Sequence, residues 1–490
     1  MKRIIYILLL SVFFLSGCKN FLIEEPRLLQ STDVTLSNLN GLDKAVAGAY
    51  SPLADGTWYG AYLVLNSEMR SGNAMKPTVS SFNSGRMQTP YSMSYEPSST
   101  EGLWTYAYYT ISAVNSVITK IDSDMASLTV NGITKQDVNN IKAEALFLRA
   151  LSHFDLLRVY CRTNGASPEL GVPIIITPQQ PTDMPARATV AETFDQIIKD
   201  LTDAESLMSD GYSREGVADE NAVANKHVIQ ALLSRVYLYN KQYQKAADYA
   251  TKVIGSKKYS LWSAEEYPTV WSADVHDSGE VIFEIYGKKA NAYDEYWEGP
   301  SHMTNPVGYG DCAASDQLIA IFDEGDVRGT KGVRGTDEGK VMFATDAEGA
   351  SLGQYWTMKY MGKGEGDATG TPDVSNVIVL RLSEMYLIRA EAALNGATGC
   401  DALADVNAIR ANRGVSPLTS ISKELVALER RKELNFEGHY WFDLARTTCI
   451  LSYKDAAVTR ELAPDSKYWA MPISKNQIDL NANLVQNQGY

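Results

Sequence analysis

Glu429-Arg430-Arg431-Lys432-Glu433-Leu434-Asn435-Phe436-Glu437-Gly438-His439-Tyr440-Trp441-Phe442-Asp443-Leu444-Ala445-Arg446 carries three glutamates spaced by four. That spacing predicts three carboxylates, Glu429, Glu433 and Glu437, on one face of a helix over 422–437. Ser422 is placed to cap the helix and Gly438 to stop it, while Leu425, Leu428 and Leu434 give it apolar contacts. Carboxylates on a helix patterned for packing need cationic partners, because a buried charge is tolerated only when paired. Arg381, Arg410 and Arg446 are the expected partners in a structural ion-pair network. Two of the glutamates could instead form an acid/base pair, but such a pair needs an open cleft, and this helix is built to pack.

Upstream, helical period is expected over 40–50, 103–121, 138–160, 189–208, 222–240, 242–255, 378–395 and 400–413. Two helix pairs look alike. In the first, Leu233, Ser234 and Tyr237 precede Ala246, Ala250 and Val253. In the second, Ala390 and Ala393 precede Ala402, Val406 and Ile409. Small residues at these offsets let antiparallel helices approach closely, which is a degraded tetratricopeptide pattern. On these residues alone, generic helix pairing stays open beside it. Stacked pairs of this kind make a scaffold and imply no activity.

Two stretches interrupt the helices. Residues 53–100 are rich in Gly, Ser, Pro, Asn, Met and aromatics without sustained period. Residues 260–375 are rich in Gly, Asp and aromatics, with a strand expected over Val281 to Tyr286. Loops this long in compact proteins are usually functional. The expected fold is therefore mainly α: a tetratricopeptide-like scaffold of helical pairs, with long irregular aromatic-rich insertions and a few short strands. It forms one body over 38–490, with an N-terminal part at 38–260, an insertion at 260–375 and a C-terminal part at 376–490.

The beginning of the chain points to export. Lys2 and Arg3 precede an apolar run from Ile4 to Leu15, too short for the roughly 20 residues that cross a bilayer. Leu15-Ser16-Gly17-Cys18 follows and resembles the lipobox of bacterial lipoproteins, whose Cys is acylated after cleavage. That gives a signal peptide at 1–17, lipidation at Cys18 and a tether at 18–37, in a protein fixed to a membrane only by its lipid. The 490 residues carry 59 acidic and 45 basic side chains and a net charge of −14, which argues against nucleic acid as partner. Tyrosine is abundant, 28 against 12 Phe, and suits surfaces that are both wet and adhesive. Cys18, Cys161, Cys312, Cys400 and Cys449 form no C-x-x-C pair, and the five His are scattered, so no metal site or cofactor is expected.

The segment 429–446 resembles the E-R-x-x-E-L-x-x-E-G…D-L-x-R signature of the SusD/RagB family. The ending Met471-Pro472-Ile473-Ser474 through Asn483-Leu484-Val485-Gln486-Asn487-Gln488-Gly489-Tyr490 is similar to the family's P-I-P…N-x-x-L-x-Q-N-x-G-Y. Leu380 to Ala392, Asn407 to Arg410, Leu148 to Phe154 and the lipobox fit as well, so the match runs in order along nearly the whole chain. Tyr440 replaces a frequent Arg, and Ser474 stands where the ending has its second Pro. The resemblance implies a surface lipoprotein of the bacterial outer membrane. It would bind oligosaccharide without catalysis and deliver it to a SusC-like, TonB-dependent transporter. A peptide cargo on the same scaffold, and an anchored glycoside hydrolase using a carboxylate pair from 290–330, are the alternatives.

A sugar ring has an apolar face and a rim of hydroxyls, so it is held by flat aromatics beside Asn, Asp, Arg or Gln. The loops offer two such mixtures: Trp58 and Tyr59 with Arg70 and Asn73, and Tyr293, Tyr296 and Trp297 with Asp294 and Glu295. These aromatics could also fill the small cores of their own loops. Gly349-Ala350-Ser351-Leu352-Gly353 matches the nucleophile-elbow spacing but follows Thr345-Asp346-Ala347-Glu348 rather than an apolar strand, so it is read as chance. Asp326-x-Arg328 reads as a local ion pair, and Asp323-Glu324-Gly325-Asp326 breaks calcium-loop register at Val327-Arg328.

Overall fold

The computed structural model describes residues 32–78, 85–98, 102–164, 169–274, 276, 279–287, 299–337, 339–346, 349–350, 352–363 and 374–490. Residues 1–31, with the signal, Cys18 and most of the expected tether, lie outside these, as do Tyr293, Tyr296, Trp297 and Ser351. The end of the tether is corrected, because Thr32–Thr35 is helical and Leu36 is buried in the core. The principal helices are α1 (Leu39–Tyr50), α2 (Tyr62–Ser71), α3 (Gln88–Ser92), α4 (Leu103–Leu128), α5 (Lys135–Tyr160), α6 (Val190–Leu207), α7 (Lys226–Tyr239), α8 (Tyr243–Gly255), α9 (Leu382–Leu394), α10 (Ala402–Ala411), α11 (Lys423–Glu433) and α12 (Tyr440–Arg446).

From α4 to α10 each helix packs on the next, and α1 lies on α4. Local sequence sets the starts: Thr134 with Asp137, and Thr189 with Glu192, close reciprocal caps at α5 and α6. The small residues of the first repeat pair do what their spacing requires. Ser234, Ala246 and Ala250 are buried, and the Ser234 hydroxyl donates to the Ala246 carbonyl at 2.9 Å, fixing α7 close against α8. In the second pair Ala390, Ala402 and Val406 share one small core. The helical-pair scaffold with irregular insertions is thus the fold that forms.

The second insertion leaves after α8 and returns at α9, which docks directly on α8. Its two ends are tied by antiparallel strands β1 (Val281–Ile285) and β2 (Val377–Arg381), with Val281 opposite Arg381 and Ile285 opposite Val377. The expected helix over 378–395 is corrected here: Val377-Ile378-Val379-Leu380 is a strand, and the helix starts at Leu382. Both segments are buried, so no polar stripe marked the change of period.

Two other expectations change. The stretch 53–100 contains α2, most of whose residues are buried, which leaves no amphipathic pattern to read. The helix expected over 422–437 begins at the Ser422 cap but ends at Glu433. Phe436 takes a positive φ of 59°, so Glu437 leaves the helix and does not share a helical face with Glu429 and Glu433. Gly438 is therefore no helix stop. Its φ is +78°, and a Cβ there would stand 3.1 Å from the Val64 Cα, so glycine lets this turn meet α2.

Candidate functional site

The first aromatic group does not face solvent. Trp58 has no exposed surface, and its indole N–H donates to Asp155 Oδ2 at 2.7 Å. Tyr59 is 3% exposed and its hydroxyl accepts from Arg158 at 3.2 Å. Asp155 and Arg158 pair at 2.7 Å on α5, so the two rings plug α5 rather than form a platform. Asn73 is equally interior: it donates to Glu68 Oε2 and accepts from Arg431 Nε, each at 2.8 Å. The expectation that Trp58, Tyr59 and Asn73 contact ligand is corrected; long loops must bury something to hold shape, and these residues do it. Trp262, Tyr267 and Trp271 of the second insertion are buried edge to face in the same way, with Arg413 4.3 Å from the Tyr267 ring.

The glutamates are structural. Glu433 receives Arg328 at 2.9 Å, Arg381 at 2.6 Å and Arg413 at 2.7 Å. Glu437 receives Arg381 at 2.7 Å and Lys359 at 2.5 Å, and Glu429 receives Arg328 at 2.7 Å and Arg410 at 3.2 Å. Burial alone would raise the Glu433 pKa, but Arg413, Arg381 and Arg328 outweigh it and hold the carboxyl well below its ordinary value. Burial pulls the Lys359 ammonium down to about 8 despite Glu437. Arg446 is not a partner of these glutamates; it pairs with Glu391 at 2.5 Å and Asp443 at 2.8 Å. Arg328, Arg413 and Lys359 were missed, since their partners lie 20 to 105 residues away in sequence. Arg328 also holds Asp326 at 2.7 Å, the short-range pair that the sequence indicates.

Arg70 is different. It lines a cavity of about 270 Å³ between α2, α3, the start of α4 and the end of α5, near the small end of the roughly 300–1,000 Å³ range of ligand pockets. The α2 backbone ends here because Gly72 adopts a left-handed φ of +81°. Arg70 is 4% exposed, its Cζ 3.9 Å from the centre of the Trp441 ring and 5.2 Å from that of Tyr95. One Nη donates to the Tyr468 carbonyl, while Nε has no partner. No carboxylate pairs with it among the described residues, and burial lowers its pKa. Two more lining groups are unsatisfied: the Tyr95 hydroxyl and Asn66 Oδ1. Burial pushes the Tyr95 phenol up to about 12, against the opposing pull of Arg70. At the rim Arg86 stacks 3.5 Å from the Tyr309 ring and pairs with Asp311 at 3.2 Å. A second cavity of about 290 Å³ lies across α3, lined by Lys76, Gln88, Tyr91 and Asp455.

Such an arrangement can accept a small polar guest: flat rings, hydroxyls and unspent donors converge on one space, as in sites that fix orientation with few polar groups. Of the described residues expected to touch ligand, Arg70 alone lines the cavity, beside Tyr95, Asn66 and Arg86, which the sequence did not single out. No helix of the described residues is long and apolar enough to cross a membrane.

Residues 20–238 match a family model described as "Starch-binding associating with outer membrane", and residues 334–490 match the model of the SusD family. A starch-binding protein SusD of Bacteroides thetaiotaomicron is 25% identical over 470 residues, covering 81% of this chain and 80% of that protein. Among solved structures, a SusD superfamily protein of Bacteroides thetaiotaomicron is 29% identical with a TM-score of 0.77, over 92% of this chain and 99% of the other. A putative sugar binding protein of Bacteroides vulgatus is 26% identical with a TM-score of 0.78, over 93% and 99%.

Proposed function

The chain belongs to the SusD family, and from that premise we propose that it is a non-catalytic lipoprotein that captures oligosaccharide at the outer-membrane surface. Cys18 carries the lipid anchor, residues 18–31 act as the tether, and a SusC-like, TonB-dependent transporter receives the cargo. The observation that carries this reading is the cavity beside α3, where unsatisfied Arg70, Tyr95 and Asn66 groups meet aromatic faces. Relatives named as starch-binding and as putative sugar binding support carbohydrate over other cargo.

Binding rather than hydrolysis is supported by the state of the carboxylates. Of the carboxylates described within the stretch a hydrolase would use, Asp311, Asp323 and Asp326 are ion-paired, to Arg86, Lys432 and Arg328; Asp294, Glu295 and Glu298 lie outside the described residues. Burial raises the Asp323 pKa, but Lys432 and Arg410 outweigh it and hold the carboxyl below its ordinary value, the opposite of what a general acid needs. The test is titration of the purified chain with an oligosaccharide panel and a peptide mixture, followed by chromatography of the incubated ligand. Saturable oligosaccharide binding with no product is expected. Peptide-only binding would replace the cargo, and product release abolished by a Glu→Gln or Asp→Asn substitution would make the protein an enzyme.

A further inference from the structure

Arg70 sits in a position that a purely structural arginine does not need. Elsewhere in the molecule Arg328, Arg381 and Arg413 are as buried as Arg70, and each has at least two carboxylates within 2.9 Å. Arg70 has two rings and one backbone carbonyl. A guanidinium has five N–H donors, and the charge it brings indoors is normally compensated by an anion. Among the described residues no carboxylate supplies that compensation, and the side chain borders an open cavity.

The neighbours agree with an anionic guest. The Tyr95 hydroxyl is buried and unsatisfied, on a ring whose centre is 5.2 Å from the guanidinium carbon, so a small side-chain shift brings it to the same anion. Arg86 adds a second cation to the cavity wall, although Asp311 neutralises part of it. Thr89 and Ser67 supply hydroxyls for the uncharged remainder of a sugar ring. The protein's net charge of −14 repels anions at long range, so a site for one has to be built locally, and this one is.

We propose that the Arg70 cavity binds the anionic substituent of an acidic oligosaccharide, a uronate carboxylate or a sulfate ester, with Arg70 and Tyr95 as the selecting residues. This rests on the oligosaccharide-binding reading and narrows it to a charged class of glycan. The anion accepts from the free guanidinium N–H groups and from the Tyr95 hydroxyl, and Trp441 and Tyr95 keep the guanidinium plane fixed. A charge-assisted pair in a water-poor cavity is worth at least about tenfold in affinity over the neutral sugar.

The test uses the purified chain on an array carrying matched neutral, uronate-bearing and sulfated oligosaccharides, followed by titration with the best binder of each class. The expected result is at least about tenfold preference for one acidic class over its neutral match, with the two acidic arms telling carboxylate from sulfate. Arg70→Met abolishes the preference, and Tyr95→Phe, which keeps the ring and the fold, weakens acidic binding roughly three- to tenfold more than it weakens neutral binding. If Arg70→Met does not fold, Tyr95→Phe decides. Equal binding of neutral and acidic members overturns this inference and leaves glycan binding intact. Acidic preference insensitive to both substitutions overturns the site. Binding of peptides alone, or of no glycan on the array, overturns the oligosaccharide reading and this inference with it.

Discussion

Arg381 and Arg70 are both almost fully interior, 1% and 4% exposed, yet their surroundings are opposite. Arg381 contacts Glu280, Glu433 and Glu437 at 2.8, 2.6 and 2.7 Å, and its neighbours Arg413 and Arg328 share those carboxylates. Arg70 is held by ring faces and a carbonyl. The first set joins β2, α11 and the turn after α11 into one charge lattice, and its geometry leaves nothing for a ligand. The second leaves donors unspent next to a cavity. Burial of a charge is therefore not by itself a sign of function in this protein, nor is a missing carboxylate, since Arg460 is equally buried and is held by the Met69 and Arg70 carbonyls; a missing counter-ion beside a cavity is what sets Arg70 apart.

The largest expected effect tests the frame. Glu433→Gln leaves three guanidiniums short of their shared carboxylate, and breaking a buried pair of this kind costs about 3–5 kcal/mol. Denaturant unfolding of the variant at pH 7 measures it. A loss below about 1 kcal/mol would mean that the lattice is balanced by desolvation and that the contrast with Arg70 is weaker than the distances suggest.

A pH series sharpens the same point. Against the opposing effect of burial, the cations hold both Glu433 and Glu437 below their ordinary pKa in the folded chain. A depressed carboxylate contributes stability above its unfolded value, about 4.3, and loses it as pH falls through the folded value. Wild type is expected to lose melting temperature on acidification below about pH 4.3, and Glu433→Gln less so. The gap between the two should narrow from pH 7 to pH 3. A constant gap would show that Glu433 acts through packing rather than charge.

Trp58 gives the next effect. Trp58→Phe keeps an apolar ring but removes the donor to Asp155, and a lost hydrogen bond to a buried charge costs roughly 1.5–3 kcal/mol. Arg158 still pairs with Asp155, which places the expected loss at the lower end. Oligosaccharide binding should not change, because the ring plugs α5 and does not line the cavity. A loss of binding with stability intact would return Trp58 to the site.

These contrasts also mark what the sequence could convey. Among helices with one wet face, α1, α6 and α8 were legible to within a residue or two, expected at 40–50, 189–208 and 242–255 and lying at Leu39–Tyr50, Val190–Leu207 and Tyr243–Gly255, whereas α4, expected to end at 121, runs on to Leu128. Elements buried all round, α2 and the β2–α9 junction, carry no polar stripe and were missed or mistyped. Pairing over long range was legible only in part. Glu433 announced a need for cations, but Arg328 lies 105 residues away, and spacing cannot choose it over Arg446. For the site, residue type reported chemistry and not exposure. Trp58, Tyr59 and Asn73 have the right groups in the wrong place, whereas Arg70 lines the cavity because Trp441, Tyr95 and Tyr468 converge there from three distant segments.

The smallest expected effect is the one that most directly breaks the comparison. Arg70→Met removes a cation from between Trp441 and Tyr95, forfeiting stacking worth about 0.5–2 kcal/mol, and leaves the Tyr468 carbonyl without its donor. Against that, it removes an interior charge that has no carboxylate, and methionine fills the same slot between the rings with a polarizable side chain. The opposing terms leave a net change within about 1 kcal/mol, far below Glu433→Gln and possible in either direction. Parallel denaturant curves for the two variants settle it. Near-equal stability of wild type and Arg70→Met means that the fold does not require the guanidinium, so its retention in a cavity calls for a ligand. A loss of 3 kcal/mol or more would move Arg70 into the frame alongside Arg381, and the cavity would lose its buried charged donor.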